Sequence, residues 1–278
     1  MAPRVEIDLP HSVLKTVEAV AVINGETVSE TTGRLLAQAL DLGSHELFQV
    51  STSTALVKGV FSGAVSVSEL KRHGDFGLGT FEDLDGELVL LDGHAYQGGP
   101  GGQALEASDG WSVPFALVTR SQFGTRIRTT DHGSLDSLEA EIDRHRPSPN
   151  LFVAVRADGR FGMLKMRAIC KAEPGETLVQ ATEHQSEFAV ADVAGTLVGF
   201  WSPDYAGKIT VPGYHFHFLA DDRSIAGHVF DLRSPGLDLA LQGESDLHMA
   251  LPKTAEFLAA DLEGHTSAAL EEAERGRA

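Results

Sequence analysis

The stretch GYHFHFLADDRSIAGHVFDL (residues 213–232) decides how the chain is read. Successive side chains of a β-strand turn to opposite faces. His215 and His217 therefore share one face, and Tyr214, Phe216 and Phe218 take the other. The segment ADDRS breaks the apolar run and reads as a turn. With the hairpin centred on Asp222 and Arg223, His217 opposes His228, while His215 opposes Phe230 and lies diagonal to His228. Opposed Cβ atoms in such a ladder are about 4.5–5.5 Å apart and diagonal ones about 7–8 Å, close enough for three imidazoles to converge on one ion. Neutral imidazole is a common metal ligand, and three of them leave coordination positions open, which favours a catalytic over a structural ion. A single strand histidine is ordinarily a satisfied core or surface residue; three on one face of a hairpin are harder to assign that way. His73, His94, His132 and His248 are read as ordinary core or surface residues.

Working outward, the chain reads as an α+β protein: β-sheet-rich, mixed or antiparallel, with a few helices and the metal site on a β-hairpin. Residues 1–45 differ from the rest. RVEIDLP alternates like a short strand ending at Pro10, and HSVLKTVEAVAVIN carries Val13, Leu14, Val17, Val20 and Ala21 at helical spacing until Gly25 stops it. TVSETTGRLLAQAL follows as a second helix capped near Thr27 or Ser29. This small strand-helix-helix arm is similar in pattern to a ribbon-helix-helix unit, but acidic residues outnumber basic ones, so a dimerising or packing arm is expected rather than a DNA reader. Residues 46–278 form the expected catalytic region, in two packed β-rich halves with a boundary near 145–150. Within it VSVSELKR is a short helix starting near Ser66 or Ser68, GELVLLDGHAYQ a hairpin at Asp92-Gly93, and GGPGGQ a flexible loop. SLDSLEAEIDRH is an amphipathic helix capped by Ser134. NLFVAVRADGRFGMLKMRAI is read as a strand pair turning at Asp158-Gly159, LHMALP as a last strand, and the segments beyond as helical.

Composition narrows the partners. The 278 residues are 42% hydrophobic, enough for a sizeable core, and carry a formal net charge of −18. Such a surface cannot displace counterions from nucleic acid and is repelled by anionic membranes, so neither is an expected partner. An anionic substrate would then need positive charge supplied locally by its site. Cys170 is the only cysteine, so no intrachain disulfide can form; a reducing, cytoplasmic setting is the default. No apolar run reaches the length of a membrane span, and the first residues carry no secretory pattern.

A second block is KRHGDFGLGTFEDLDGELVLLDG (residues 71–93), whose Gly74, Gly77 and Gly79 call for close backbone approach or special turns. It fits neither the GxxxxGK[ST] nor the GxGxxG nucleotide pattern. Taken together, HGDFGLGTFEDLDGE and YHFHFLADDRSIAGHVFDL resemble the alpha-acetolactate decarboxylase family, over residues 47–274; the segment before Leu47 lies outside the resemblance. The resemblance implies His215, His217 and His228 as ligands of a divalent metal, Zn2+ first. It implies Thr80 as substrate-binding, Arg167 as substrate-binding and catalytic, and Glu87 and a C-terminal glutamate as catalytic. Glu274 is the best match for the last, with Glu271 and Glu272 as competitors. It further implies a homodimer acting on a small 2-hydroxy-3-keto acid, 2-acetolactate, converted to (R)-acetoin in the butanediol pathway through a metal-stabilised enediolate. Three imidazoles would also accept Fe, Ni, Co, Cu or Mn.

Two rival readings remain on the sequence. A cupin-like metal-dependent oxygenase or isomerase also uses HxH plus a third histidine, and Asp221 stands where its carboxylate would. Ile209 occupies the place of its expected glycine. The other rival is a non-enzymatic metal-containing dimeric binding protein, which a fourth protein ligand would favour.

Overall fold

The computed structural model describes residues 6–39, 45–264 and 267–274 and divides into two compact units, Met1–Ser44 and His45–Ala278. The first unit holds α1 (His11–Asn24) and α2 (Val28–Ala39). Gly25 ends α1 at φ 69°, the left-handed conformation that lets its N–H turn back to the last carbonyls. Thr27 and Glu30 cap the next helix reciprocally: the Thr27 N–H donates to the Glu30 carboxylate at 2.8 Å, and the Glu30 N–H donates to Thr27 Oγ1 at 3.2 Å. Residues 6–10 form no strand; residues 4–5 of the expected one lie outside the described residues. Alternation alone cannot hold a strand that has no partner ladder.

The second unit contains β1 (Glu46–Val50), α3 (Ser53–Val57), β2 (Val65–Ser66), α4 (Val67–His73), β3 (Phe76–Thr80), β4 (Glu87–Leu91), β5 (His94–Gly98), β6 (Ala104–Glu106), β7 (Ser112–Val113), β8 (Phe115–Thr119) and β9 (Thr125–Arg128). After these come α5 (Leu135–His145), β10 (Phe152–Ala168), α6 (Leu178–Thr182), β11 (Ser186–Ser202), β12 (Gly213–Ala220), β13 (Ala226–Arg233), β14 (Leu237–Glu244), β15 (Asp246–Ala250), α7 (Ala255–Ala259) and α8 (Ser267–Glu274). A seven-stranded sheet runs β15-β1-β8-β3-β4-β5-β6, antiparallel except for the parallel β1–β15 edge. A six-stranded antiparallel sheet runs β11-β12-β13-β10-β14-β9, and a further β10–β11 pairing closes four of its strands into a ring. This is the α+β, sheet-rich class read from the sequence. One continuous apolar core joins the two sheets, with Phe76, Leu78 and Val89 of the first against Val198, Phe200 and Leu219 of the second.

Two expectations are corrected. NLFVAVRADGRFGMLKMRAI does not turn at Asp158-Gly159. It is the single 17-residue strand β10, paired along its length with β11. Asp158 is held inside the ladder by Arg156 Nε at 2.8 Å and by the Thr196 hydroxyl at 2.7 Å, so the Asp-Gly pair has no freedom to form a hairpin turn. The GGPGGQ segment is not a free loop either. Gly102 is buried, a Cβ there would lie 2.4 Å from the Phe188 ring, and Ala104 N–H donates to Ser224 O in the hairpin turn at 3.0 Å. Its glycines permit close approach, and that approach docks the first sheet on the second.

A polar contact also crosses the sheets. Glu244 at the end of β14 accepts from the Thr119 hydroxyl of β8 at 2.8 Å and from Gln242 Nε2 at 2.9 Å. Burial pushes its carboxyl up to about 7, against the lowering effect of those two donors. A carboxyl raised on folding contributes stability that is fully present below its unfolded value near 4.5 and is lost as pH rises through about 7. Glu244→Gln should therefore flatten the pH dependence of unfolding between those limits and gain up to about 3 kcal/mol on the native protein by the upper one. Parallel denaturation curves for the two proteins across that range would refute the assignment.

Candidate metal centre

The hairpin of β12 and β13 forms with the register expected: His217 pairs with His228, Phe218 with Gly227 and Leu219 with Ala226. His215 does not pair with Phe230. The β10–β13 ladder shifts between Lys165 and Met166, whose partners are Asp231 and Val229, so Phe230 is left out as a bulge. The bulge leaves His228 in place. Its Nδ1 lies 3.1 Å from His215 Nε2, which is 3.2 Å from His217 Nε2.

These separations suit a shared cation. Tetrahedral ligands about 2.0–2.1 Å from Zn2+ stand about 3.3 Å apart. The tautomer suits it as well. His217 Nδ1–H donates to the Leu88 carbonyl of β4 at 2.8 Å, which leaves Nε2 with its lone pair toward the other rings. Burial drives His217 down to about 3 and holds His215 and His228 well below the usual imidazole range, with the Arg167 charge acting in the same direction. All three rings are neutral near pH 7 and free to donate lone pairs.

Around them stand two carboxyls and a guanidinium. Glu87 opens β4, directly after a turn that runs through Asp83 and Leu84 at φ 59° and 57° to Gly86 at φ 85°. Thr80 Oγ1–H donates to the Gly86 carbonyl at 2.9 Å and pins that turn. The strand carrying Thr80 lies close on β8, for a Cβ on Gly79 would come within 2.2 Å of the Phe115 carbonyl. Glu87 accepts from Ile169 N–H at 3.2 Å, stands 3.4 Å from His217 Nε2, and is pushed by burial up to about 7 while Arg167 pulls it down. Arg167, near the end of β10, is 2% exposed. Its Nη1 donates to Gln185 Oε1 at 2.9 Å and to the Ala273 carbonyl at 2.5 Å; its Nη2 reaches Glu274 at 3.4 Å. Its Nε, 3.9 Å from Glu87, has no hydrogen-bond partner among the described residues.

Of the three tail glutamates, the structure brings Glu274 to the site and leaves Glu271 and Glu272 at the surface. Residues three and four apart share a helix face, so the burial of Leu270 turns Ala273 and Glu274 inward. Glu274 Oε2 lies 3.8 Å from His215 Nε2 and 3.7 Å from His228 Nε2, and burial raises its carboxyl against the pull of Arg167. Residues 275–278 lie outside the described residues. A small cavity lined by Thr80, Glu87, Arg167, His215 and Glu274 has Leu56, Leu84, Leu178 and Val211 as its apolar wall. Sequence reasoning missed Gln185 and the Leu88 and Ala273 carbonyls; the first is one amide in a polar segment and the others are backbone atoms, so no side-chain pattern announces them.

Imidazoles converging on one point, beside carboxyls raised by burial and a buried guanidinium, make a metal-capable group of the kind in which functional sites are found. The family model for alpha-acetolactate decarboxylase matches residues 47–264. The chain is 41% identical to the alpha-acetolactate decarboxylase of Methanosarcina mazei over 88% of its own length and 86% of the relative's. It is 36% identical to that of Bacillus licheniformis over 87% and 96%. The crystal structure of alpha-acetolactate decarboxylase from Bacillus subtilis strain 168 superposes with a TM-score of 0.80 at 36% identity, covering 84% of this chain and all of that one. The chain belongs to the alpha-acetolactate decarboxylase family.

Proposed function

We propose that this enzyme decarboxylates 2-acetolactate to (R)-acetoin with a divalent ion held by His215, His217 and His228, Zn2+ being the ion that suits three imidazoles first. The observation that carries the reading is Arg167, whose buried Nε has no hydrogen-bond partner among the described residues and stands beside two carboxyls of raised pKa. A buried donor left open in a cavity wall is costly unless something it binds completes it. A substrate carboxylate is such a partner, and a guanidinium offers it a planar fork. This also meets the need for local positive charge in a chain of net charge −18.

In the proposed reaction the bond between C2 and the carboxyl carbon breaks and CO2 leaves. The electron pair passes into the neighbouring ketone as an enediolate. When bound, the ion supplies Lewis-acid stabilisation of the charge gathering on oxygen. Arg167 orients the carboxylate; a grip that favoured the ground state would slow the step, since only differential binding accelerates it. Thr80 lines the cavity and fixes the Glu87 turn. Glu87 or Glu274, each with a carboxyl raised by burial, holds the proton that returns to carbon, and delivery from one side gives a single product hand. The wider reading has the chain as a cytoplasmic homodimer without nucleic-acid or membrane partners. No helix among the described residues is long and apolar enough to cross a membrane. The oxygenase and binding-protein alternatives are less favoured, since neither gives Arg167 and its two carboxyls a task.

His217→Ala should lose the central ion and at least about 100-fold in acetoin formation, with the far-UV spectrum kept; unchanged turnover removes the ligand assignment. Glu274→Gln should lower the rate by about 100-fold or more, as loss of one acid–base group does, while the exposed neighbour Glu271→Gln should not. Equal rates in the two variants would retire Glu274 from the chemistry. Light scattering should give twice the chain mass, and a monomer that is fully active sets the dimer aside.

A further inference from the structure

A second group of metal donors lies outside the site just described. Glu46 begins β1, His73 ends α4 and His248 sits in β15, and their ligand atoms fall within 4.8 Å of one another. No sequence pattern joins them, because His73 and His248 are far apart in the chain and each reads alone as an ordinary residue. The parallel pairing of β1 with β15 sets Phe48 beside His248. Phe48 then acts as a shelf for both imidazoles. His73 stacks on its ring at 3.6 Å with 3° between the planes, and His248 meets its edge at 5.3 Å. The two imidazoles stand edge to face at 5.7 Å. Glu46 Oε1 lies 3.7 Å from His248 Nδ1, and Glu69, one turn back along α4 and also paired with Arg72, lies 3.4 Å from His73 Nε2.

We infer that Glu46, His73 and His248 form a second, peripheral binding site for a divalent transition-metal ion. Two imidazoles and a carboxylate are a donor set for Zn2+, Ni2+ or Cu2+ rather than for Mg2+ or Ca2+, which take oxygen ligands. Aromatic contacts on Phe48 restrict both rings before any ion arrives, so less freedom is lost on binding. Glu69 supplies the carboxylate partner that commonly steadies a ligating imidazole. The site is far more open than the three-histidine centre, the His248 side chain being 54% exposed, so its ion should bind more weakly and exchange faster. An ion there ties α4 and the edge strand β15 to β1, which makes its role one of bracing rather than chemistry.

Equilibrium dialysis of the purified enzyme against Zn2+ at neutral pH tests this. Native protein should bind one more ion per chain than His248→Ala and one more than His73→Phe, which keeps a ring stacked on Phe48. Added Zn2+ should raise the thermal midpoint of native protein above its effect on either variant. His248→Ala should keep full activity on acetolactate, and His217→Ala should keep the peripheral ion, so the two sites fail separately. Equal Zn2+ binding by native protein and both variants overturns the site.

Discussion

The hydrogen bond from His217 Nδ1–H to the Leu88 carbonyl, 2.8 Å long, is the contact on which the centre depends. It runs from the hairpin of one sheet to a central strand of the other. It fixes the tautomer of His217 and so decides which nitrogen faces His215 and His228. It also fixes the distance between that hairpin and Glu87, the residue before Leu88. The neighbouring bond from Ile169 N–H to Glu87 ties the same point of β4 to the end of β10, which carries Arg167. Two short bonds thus hold parts of three strands in mutual register. In the proposed reaction, groups displaced by about an ångström would lose much of their advantage, which calls for the sheets to meet tightly here. The dry core between Val89, Leu91, Val198 and Leu219 supplies that constraint.

The same burial sets the charges. Three imidazoles, two carboxyls and a guanidinium are buried together, and every shift of the imidazoles and carboxyls begins with desolvation. Arg167 does not settle into a tight fork on either acid. It stands 3.4 Å from one and 3.9 Å from the other and commits its stronger bonds to an amide and a backbone carbonyl. In the proposed reaction that incomplete pairing is useful. A guanidinium already saturated by Glu274 would have nothing to offer an incoming carboxylate, and acids fully ionised by it would have no proton to give.

Much of this was legible because it is local. Strand alternation placed His215 beside His217, and the ADDRS turn brought His228 opposite, since both rules act over a few residues. The Asp158-Gly159 misreading came from the same locality. Asp-Gly is a turn signal only where nothing else claims the aspartate, and here Arg156 and Thr196 do. The bulge at Phe230 is set by pairing with β10, about sixty residues earlier in the chain, and no local pattern around His228 encodes it. Gln185, the two carbonyls and the meeting of His73 with His248 are likewise products of tertiary arrangement. The resemblance supplied Glu87, Arg167 and Glu274, which periodicity alone would have left as ordinary charged residues.

Glu274 comes to the site by a different route from the rest. The histidines, Glu87 and Arg167 all stand on strands bonded on both sides, whereas Glu274 ends an eight-residue helix. A helix that short is not stable alone in water, so α8 exists because Leu270 and Ala273 bury against the core. Its inward face carries the glutamate with it, and the Ala273 carbonyl completes Arg167 in the same step. The one helix therefore brings both the Ala273 carbonyl and the Glu274 carboxyl to Arg167. Elements secured by few apolar contacts open at lower cost than core strands. By that measure α8, held through Leu270 and Ala273, is less firmly secured than the strands that carry the histidines, Glu87 and Arg167.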